Sequence, residues 1–261
     1  MKNSDPNKEL SKLIKIVKTL RGPNGCKWDK AQTHQSLTPY LLEEAYEVIE
    51  SIDEDNLQKL KEELGDLLLH IVFQAELGEE KGNFTLTDSI KIISEKLVRR
   101  HPHVFSDIKV NSIKEIKKNW EEIKLKEGRT SLMEGLPKTL PALLQAQRVQ
   151  LRASEVGFDW EKIDGVWDKV LEELKELKEA IETKNHEKIR NELGDLLFSL
   201  VNLSRFLNVN TEEALRGTVK KFVNRFKSIE EELSSNGVEI KNSSLSKMDQ
   251  LWNKIKTKEK I

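Results

Sequence analysis

Glu63-Leu64-Gly65-Asp66-Leu67-Leu68 recurs letter for letter as Glu192-Leu193-Gly194-Asp195-Leu196-Leu197. A second pair of segments, Leu42 to Glu47 and Leu171 to Glu176, is also related, and both pairs are separated by the same offset of 129 residues. Because the distance between the two motifs is equal in both halves, duplication of one unit is the simplest explanation. The fold of that unit therefore decides the fold of the chain.

The apolar residues around the repeated motif are spaced as on helices. Between Leu60 and Leu77 they recur every three or four residues, so this segment is expected to be a helix that buries one broad apolar stripe. The second half repeats the pattern at Leu193, Leu196, Leu197, Leu200 and Leu203. Strand-like alternation is absent, so the sequence predicts an all-α fold, and Gly78 and Gly237 are expected to end helices.

The composition excludes several classes of protein. Lysine and arginine number 44 against 45 aspartates and glutamates, so there is no basic field to attract a nucleic-acid polymer. No run of about 18 apolar residues is present, as a membrane span requires. Cys26 is the only cysteine, which excludes an internal disulfide. We expect a soluble, cytoplasmic protein that binds neither nucleic-acid polymers nor membranes.

The 261 residues are enough for two domains with separate cores. Helix-breaking residues cluster between the halves, which places a linker at residues 126–141 and the two helical domains at 1–125 and 142–261. The likeness between the halves continues beyond the motifs, since Lys96 to Arg100 answers Lys221 to Arg225. A third helix therefore belongs to each unit.

Four acidic residues recur in each half and are the candidate metal ligands. They form two pairs spaced three residues apart, so each pair lies on one face of its helix, and a helical hairpin can bring both pairs together. Oxygen donors without imidazole or thiolate suit a hard ion, Mg²⁺ or in its place Mn²⁺. The two sets are Glu173, Glu176, Glu192 and Asp195, and, as a second site, Glu44, Glu47, Glu63 and Asp66.

The alternative for any single acidic pair is a solvated helix face. Two features favour the metal site: the whole arrangement occurs twice at equal spacing, and apolar residues directly follow Asp66 and Asp195. Gly65 and Gly194 each cost about 1 kcal/mol inside a helix. Their presence in both copies indicates close approach by another helix or by a ligand.

Cationic and aromatic residues near the motifs are candidates for binding an anionic ligand. Lys221 and Arg225 lie one turn apart, where they can neutralise phosphate oxygens, and Lys169 and Lys188 flank the acidic motifs. Each is also compatible with an ordinary surface cation. Trp252 can stack on any nucleobase, or it can close the helical bundle. The five histidines form no Glu-x-x-His pair, which counts against a di-iron site, and no P-loop is present.

The motifs together resemble the MazG family of nucleoside triphosphate pyrophosphohydrolases, in its two-domain form. The likeness extends through Gly25 to Asp29, Arg99 to Phe105 and Gly157 to Trp160, so that it covers essentially the whole chain. It implies an all-α, dUTPase-like bundle that forms a homodimer and hydrolyses nucleoside triphosphates to the monophosphate and pyrophosphate, with Mg²⁺, broad base tolerance and a role in cleaning the nucleotide pool.

The resemblance also implies roles for individual residues. The C-terminal copy would be the main catalytic one, because Tyr40 replaces in the first copy the lysine found at 169. Mg²⁺ would be held by the four acids of that copy. The expected contacts with the nucleotide are Lys169, Lys188, Lys221, Arg225 and Trp252.

Glu172 and Glu43 each adjoin a proposed ligand and point about 100° round the helix from it, as positioning groups or as the base that activates water. Three rival readings stay open. The first is a noncatalytic module that only binds nucleotide or metal, the second is hydrolysis of another pyrophosphate compound, and the third is a di-iron protein.

Overall fold

The computed structural model describes residues 5–106, 108–110, 112, 115–116, 119–120, 123, 127 and 131–258. The chain divides into two compact units, Met1–Ile116 and Lys117–Ile261. The domain boundaries predicted at 125 and 142 stay a prediction. Residues 126 and 128–130 of the predicted linker lie outside the described residues.

The first unit is built around a helical hairpin. Its described helices are α1 (Pro6–Arg21), α2 (Lys27–Ala31), α3 (Thr38–Asp53), α4 (Leu57–Glu80), α5 (Leu86–Arg100) and α6 (Pro102–Phe105). Helix α4 packs along α3, and α1 packs on α4. Three residues separate α3 from α4, and so short a connection makes neighbouring helices antiparallel. The core between α1 and α4 is formed by Val17, Leu37, Val72, Phe73 and Leu77.

Local sequence signals fix the helix starts in this unit. The Asn56 side chain accepts a hydrogen bond from the Lys59 N–H and so caps α4. Thr85 and Asp88 form a reciprocal capping box at the start of α5. Each cap satisfies backbone donors that a helix start leaves unpaired. The hairpin therefore begins its second helix at a defined residue, which fixes the register of the acidic side chains on α4.

The second unit repeats this hairpin. Its described helices are α7 (Ala142–Glu155), α8 (Ile163–Thr183), α9 (His186–Phe206), α10 (Thr211–Ser235) and α11 (Leu245–Lys258), with a 3₁₀ turn at Ile240–Asn242. Helices α8 and α9 pack along each other and bury Val166, Val170 and Leu203. The turn between them uses Lys184 at a φ of 55° and the Asn185 side chain, which caps α9. A separate core joins α10 to α11 through Ile229, Leu233 and Leu251.

The all-α fold predicted from the sequence is confirmed, since no strand occurs in the described ranges. Within those ranges, no helix combines the length and the apolar character that crossing a bilayer requires. The repeated motifs lie on equivalent hairpins, α3 with α4 and α8 with α9. Duplication of one helical unit is thus visible in the fold of each half.

The broad apolar stripe is buried only in part. Val72, Ala75 and Leu77 of α4 are buried, whereas Leu64 and Leu68 are 49% and 40% exposed. The predicted burial of the stripe is therefore seen only in part in the single chain. The physical reason is geometric: apolar residues extend round more of the helix than the helices packed on it cover. In α9 the exposed members are Leu193, Leu197 and Leu200.

The prediction that two glycines end helices is confirmed for Gly237 and wrong for Gly78. Gly237 follows the end of α10 and has a φ of 72°, as expected of a glycine that ends a helix. Gly78 was predicted to end a helix but lies inside α4, where an added Cβ would come within 2.7 Å of the Phe84 ring. The prediction for Gly78 is therefore wrong, because this glycine makes room for an aromatic ring. Beyond the backbone of its own helix and its chain neighbours, a Cβ built at Gly65 or Gly194 has no described atom within 4 Å, so the expected close approach is not seen in the single chain.

Candidate functional site

Among the described residues, carboxylates converge at one place in each unit, which is the same place on the repeated hairpin. In the first unit one oxygen from each of Glu44, Glu63 and Asp66 lies within 4.8 Å of the others, and we call this group the first carboxylate cluster. In the second unit oxygens of Glu173, Glu176 and Glu192 meet the same criterion and form the second carboxylate cluster. Each cluster takes residues from both helices of its hairpin.

Two of the eight predicted ligands lie beside the clusters rather than within them. Glu47 lies beside Glu63, and burial together with the Glu47 carboxyl raises the pKa of Glu63. Asp195 is exposed and lines a cavity together with Glu173 and Glu176. The two sites are therefore built from the same positions but do not close in the same way.

Glu44 has a buried carboxylate oxygen, Oε2, without a hydrogen-bond partner among the described residues. Burial raises the pKa of Glu44, and the neighbouring Asp66, Glu47 and Glu63 raise it further. A divalent cation would supply the missing partner and offset the repulsion between these oxygens. The donor set therefore fits a hard metal ion such as Mg²⁺ or Mn²⁺.

In the second unit a lysine stands where the first unit has Tyr40. Lys169 Nζ lies 2.6 Å from Glu173 Oε1 and 3.0 Å from Glu172 Oε1. The hydrogen bond to Glu173, followed by that to Glu172, raises the pKa of Lys169. Glu173 is only 5% exposed, so the lysine compensates a carboxylate that has little contact with water. Glu172 is half-exposed and lies outside the second carboxylate cluster.

The second carboxylate cluster opens into a cavity of about 660 Å³. At one side the wall is charged, with Glu173, Glu176, Asp195 and Lys169. The rest of the wall is mostly apolar and aromatic and comes from the segment before α7, from α7, from the loop after it, and from α8 and α9. These other residues are Met133, Val149, Gln150, Ala153, Phe158, Asp159, Trp160, Val166, Phe198, Ser199, Asn202 and Arg205.

Of the predicted nucleotide contacts, only Lys169 belongs to the described wall of this cavity. Lys188 lies in the first turn of α9, where its backbone N–H donates to the Asn185 side chain. Lys221 is exposed on α10, and Arg225 of the same helix places its guanidinium 5.3 Å from the centre of the Trp252 ring. Arg225 and Trp252 therefore lie together, and Lys169 is the predicted contact that lines the described cavity.

Trp252 takes part in the core between α10 and α11. It packs against the buried cluster of Ile229, Leu233 and Leu251, and its ring centre lies 5.2 Å from that of Phe222. Part of the ring is still exposed. The structure thus gives Trp252 a packing role, while stacking on a nucleobase stays a prediction.

Most of the cavity wall carries no signal in the sequence. Gln150, on α7, is buried and donates from Nε2 to the Phe198 carbonyl at 2.8 Å. Arg205, on α9, pairs with Asp159 in the loop after α7 and donates to Asn202. No sequence spacing links these residues, because the Asp159–Arg205 pair spans 46 positions. Phe158 and Trp160 belong to the Gly157–Trp160 segment that carries the family resemblance.

Comparison with known proteins agrees with this geometry. Residues 32–105 and 164–229 match the family model described as the MazG nucleotide pyrophosphohydrolase domain. A Thermotoga maritima protein named nucleoside triphosphate pyrophosphohydrolase/pyrophosphatase MazG is 50% identical over 250 residues, which cover 95% of this chain and 95% of that protein. The Escherichia coli nucleoside triphosphate pyrophosphohydrolase is 40% identical over 260 residues, which cover 96% of this chain and 98% of that protein.

One relative is about twice as long as this chain and contains a region similar to nearly all of it. The Bacillus subtilis protein named uncharacterized protein YabN is 50% identical over 256 residues, which cover 97% of this chain but 52% of that protein. The two segments matched by the family model each contain one carboxylate cluster. The doubled hairpin, its doubled carboxylates and these matches lead to one conclusion: the chain belongs to the MazG nucleotide pyrophosphohydrolase family.

Proposed function

We propose that this protein hydrolyses nucleoside triphosphates to the nucleoside monophosphate and pyrophosphate. The observation that carries the proposal is the second carboxylate cluster at a cavity whose remaining wall is mostly apolar and aromatic. A nucleoside triphosphate has the matching polarity, because its phosphates are charged and its base is a flat ring. The names of the T. maritima and E. coli relatives support the same reaction.

The proposed cofactor is Mg²⁺, with Mn²⁺ as a substitute, held in the second unit by Glu173, Glu176, Glu192 and Asp195. A bound Mg²⁺ ion neutralises phosphate oxygens and lowers the pKa of a coordinated water. The second proposed site uses Glu44, Glu47, Glu63 and Asp66 of the first unit. In support, both sets offer only carboxylate oxygens, and the buried Glu44 oxygen has no described partner.

The side chains of the chain itself position and neutralise the substrate. Lys169 already pairs with Glu173 and lies on the cavity wall, so it can turn toward a phosphate oxygen that enters there. Glu172 is held 3.0 Å from Lys169 and serves as a positioning group or as the base. We assign further phosphate contacts to Lys188, Lys221 and Arg225, with Trp252 beside them, because these residues match the family motifs.

We assign turnover mainly to the second unit and expect the protein to accept several bases. The first unit has Tyr40 in place of Lys169 and so lacks a lysine at the position from which Lys169 pairs with Glu173. Aromatic side chains stack on any base, since every base has a π face, and Phe158 and Trp160 supply such surfaces at the cavity. Tolerance of many bases suits an enzyme that removes unwanted nucleotides from the cytoplasmic pool.

We also propose a homodimer. Four apolar positions are exposed in both repeats at the same offset, which is unexpected for surfaces that face water in both copies. They are Leu42, Leu64, Leu68 and Ile71 in the first unit and Leu171, Leu193, Leu197 and Leu200 in the second. Sedimentation should give twice the mass of one chain, and Leu197→Glu should shift the mass toward that of the monomer. A monomeric wild type at micromolar concentration would reject the dimer.

The reaction is tested by product analysis with a mixed set of nucleoside triphosphates and Mg²⁺. The wild type should release monophosphate and pyrophosphate, and Glu192→Gln should abolish turnover because it removes a charged member of the second carboxylate cluster. Glu187→Gln, on the same helix and exposed, is the matched control and should retain activity. Glu63→Gln reports on the first unit, where we expect a smaller loss.

The outcomes separate the open readings. Phosphate rather than pyrophosphate as the product would reject the proposed reaction, and binding of nucleotide without any turnover would favour a binding module instead. Removing Mg²⁺ with a chelator should stop pyrophosphate release, and adding Mg²⁺ or Mn²⁺ should restore it. Activity that survives complete chelation would reject the metal-dependent mechanism.

A further inference from the structure

Gln150 leaves a buried hydrogen-bond acceptor at the cavity. The side chain is 8% exposed, and Nε2 donates to the Phe198 carbonyl at 2.8 Å. A carbonyl oxygen only accepts, so this bond fixes the orientation of the amide and turns Oε1 the other way. Oε1 is buried and has no hydrogen-bond partner among the described residues. An acceptor in this state is costly unless a ligand or a water satisfies it.

Asn202 offers a complementary group at the same cavity. It is 4% exposed, and its Oδ1 accepts from Arg205 Nε at 3.0 Å and from Arg205 Nη2 at 2.8 Å. Arginine only donates, so Oδ1 must face it and Nδ2 must point away. Arg205 is itself held by Asp159, whose Oδ2 accepts from Nη1 at 2.8 Å. The donor position of Asn202 is thus fixed by a chain of hydrogen bonds.

The position of Asn202 along α9 sets its distance from the carboxylates of the cavity. Asp195 and Asn202 are seven residues apart, so they lie on the same face of the helix and about 10 Å apart along its axis. Both line the cavity. The carboxylates and Lys169 therefore lie toward one end of this distance, and the Asn202 amide, held by the Arg205–Asp159 ion pair, lies at the other. A ligand with phosphates at one end and a polar ring edge at the other fits this arrangement.

We propose that Gln150 and Asn202 read the edge of the nucleobase, Gln150 Oε1 accepting one hydrogen bond and Asn202 Nδ2 donating another. This inference rests on the proposed hydrolysis of nucleoside triphosphates and adds the residues that determine base recognition. Phe158 is 81% exposed yet lines the cavity, which leaves its ring free to cover the flat face of the base. All common bases present a donor next to an acceptor, so an amide pair of this kind accepts each of them.

The test concerns the hydrogen bond that Gln150 Oε1 would accept from the base. It removes first the donor on the ligand and then the acceptor on the protein. Purine riboside triphosphate is ATP without its 6-amino group, so it lacks the donor that Oε1 would accept. In the wild type its KM should exceed that of ATP by about tenfold, with kcat changed by less than about twofold. In Gln150→Met the two KM values should become equal.

Gln147→Met is the matched control. Gln147 lies on the same helix and donates from Nε2 to the Val209 carbonyl at 3.3 Å, but it is not on the described wall of the cavity. This variant loses a similar bond and should keep the wild-type ratio of KM values. Inhibition by inorganic tripolyphosphate, which has no base, should be the same in all three proteins. This readout separates base recognition from a general disturbance of the site.

Three results would overturn the inference. The first is an unchanged KM ratio in Gln150→Met, and the second is an equal loss of tripolyphosphate binding. The third is a KM ratio that collapses in Trp252→Leu instead, which would place the base on α11. If the wild type releases no pyrophosphate, the proposed function fails, and the inference is then tested by binding. AMP should bind about tenfold more tightly than purine riboside monophosphate to the wild type but not to Gln150→Met, and equal affinities in the wild type would reject it.

Discussion

Lys169→Met removes a cation that compensates a buried carboxylate. Lys169 Nζ lies 2.6 Å from Glu173 Oε1, and Glu173 is only 5% exposed. The hydrogen bond to Glu173 is the main reason why the pKa of Lys169 is raised above 10.5. A raised lysine pKa contributes stability that is fully present below the unfolded value and is lost only as the pH rises through the folded value. At neutral pH the whole contribution is present, so methionine should destabilise the second unit.

The burial of the two partners sets the magnitude. Removing one member of a fully buried pair costs about 3–5 kcal/mol, whereas an exposed pair contributes about 0–1 kcal/mol. The Lys169 side chain is 38% exposed, so solvent screens part of the interaction. We expect a loss of about 2 kcal/mol in the absence of metal, which corresponds to roughly 8 °C in Tm for a unit of this size.

Mg²⁺ should reduce this loss. A cation bound at the second carboxylate cluster compensates Glu173 in place of the lysine, so the difference in Tm between wild type and variant should fall below about 4 °C in excess MgCl₂. The assay is scanning calorimetry with EDTA and then with MgCl₂. Hydrolysis should weaken in the same variant, because Lys169 is also an expected phosphate contact.

Lys175→Met is the control for this experiment. Lys175 Nζ lies 3.7 Å from Glu179 Oε1 on the same helix, and their side chains are 78% and 57% exposed. An exposed pair of this kind should change Tm by less than about 2 °C. Equal losses in the two variants, or a Lys169→Met loss that Mg²⁺ does not reduce, would refute the reasoning.

The remaining predictions concern the first unit. Burial raises the pKa of Glu44, so this carboxyl favours folding fully below its ordinary pKa of 4.5 and loses that contribution as the pH rises through the folded value. Urea unfolding in EDTA near neutral pH should therefore show Glu44→Gln more stable than wild type by about 1 kcal/mol, with no gain below pH 4.5; a destabilised variant would contradict this. Gly78→Ala should cost about 1–3 kcal/mol because its Cβ would meet the Phe84 ring at 2.7 Å, whereas Gly65→Ala meets nothing within 4 Å and should gain up to about 1 kcal/mol. Thermal unfolding of the two alanine variants in EDTA checks their order, and equal Tm values would contradict it.

The sequence predicted the fold where a local pattern carries the information. Helical spacing and the repeated motif led to equivalent hairpins, and Gly237 ends its helix as expected. The pattern failed at Gly78, because the Phe84 ring, which comes from beyond the helix, occupies the space that a side chain at this position would need. Periodicity also could not tell which apolar residues the unit covers by itself: Val72 and Leu77 are buried, whereas Leu64 and Leu68 are exposed.

The sequence likewise predicted one part of the candidate site and not the other. The acids could be found because they repeat at fixed spacing on two neighbouring helices, and the structure brings three of each four together. The cavity could not be found, since Gln150, Phe158 and Asn202 come from separate segments that only the packing of α7 against α9 unites. Lys169 was identified as a cation near the acids, but its ion pair with the buried Glu173 follows only from the side-chain geometry.

The open space beside Gly65 and Gly194 gives experimental access to each half of the molecule separately. Cys26 is exposed and is the only cysteine in the sequence, so replacing it with serine leaves a background without thiols. A single cysteine at either glycine would meet, beyond the backbone of its own helix and its chain neighbours, no described atom within 4 Å of its Cβ. It could therefore carry a fluorescent or spin label beside one chosen cluster. Two such labelled proteins would report ligand binding at the first and at the second carboxylate cluster separately. A signal from the whole chain would average the two.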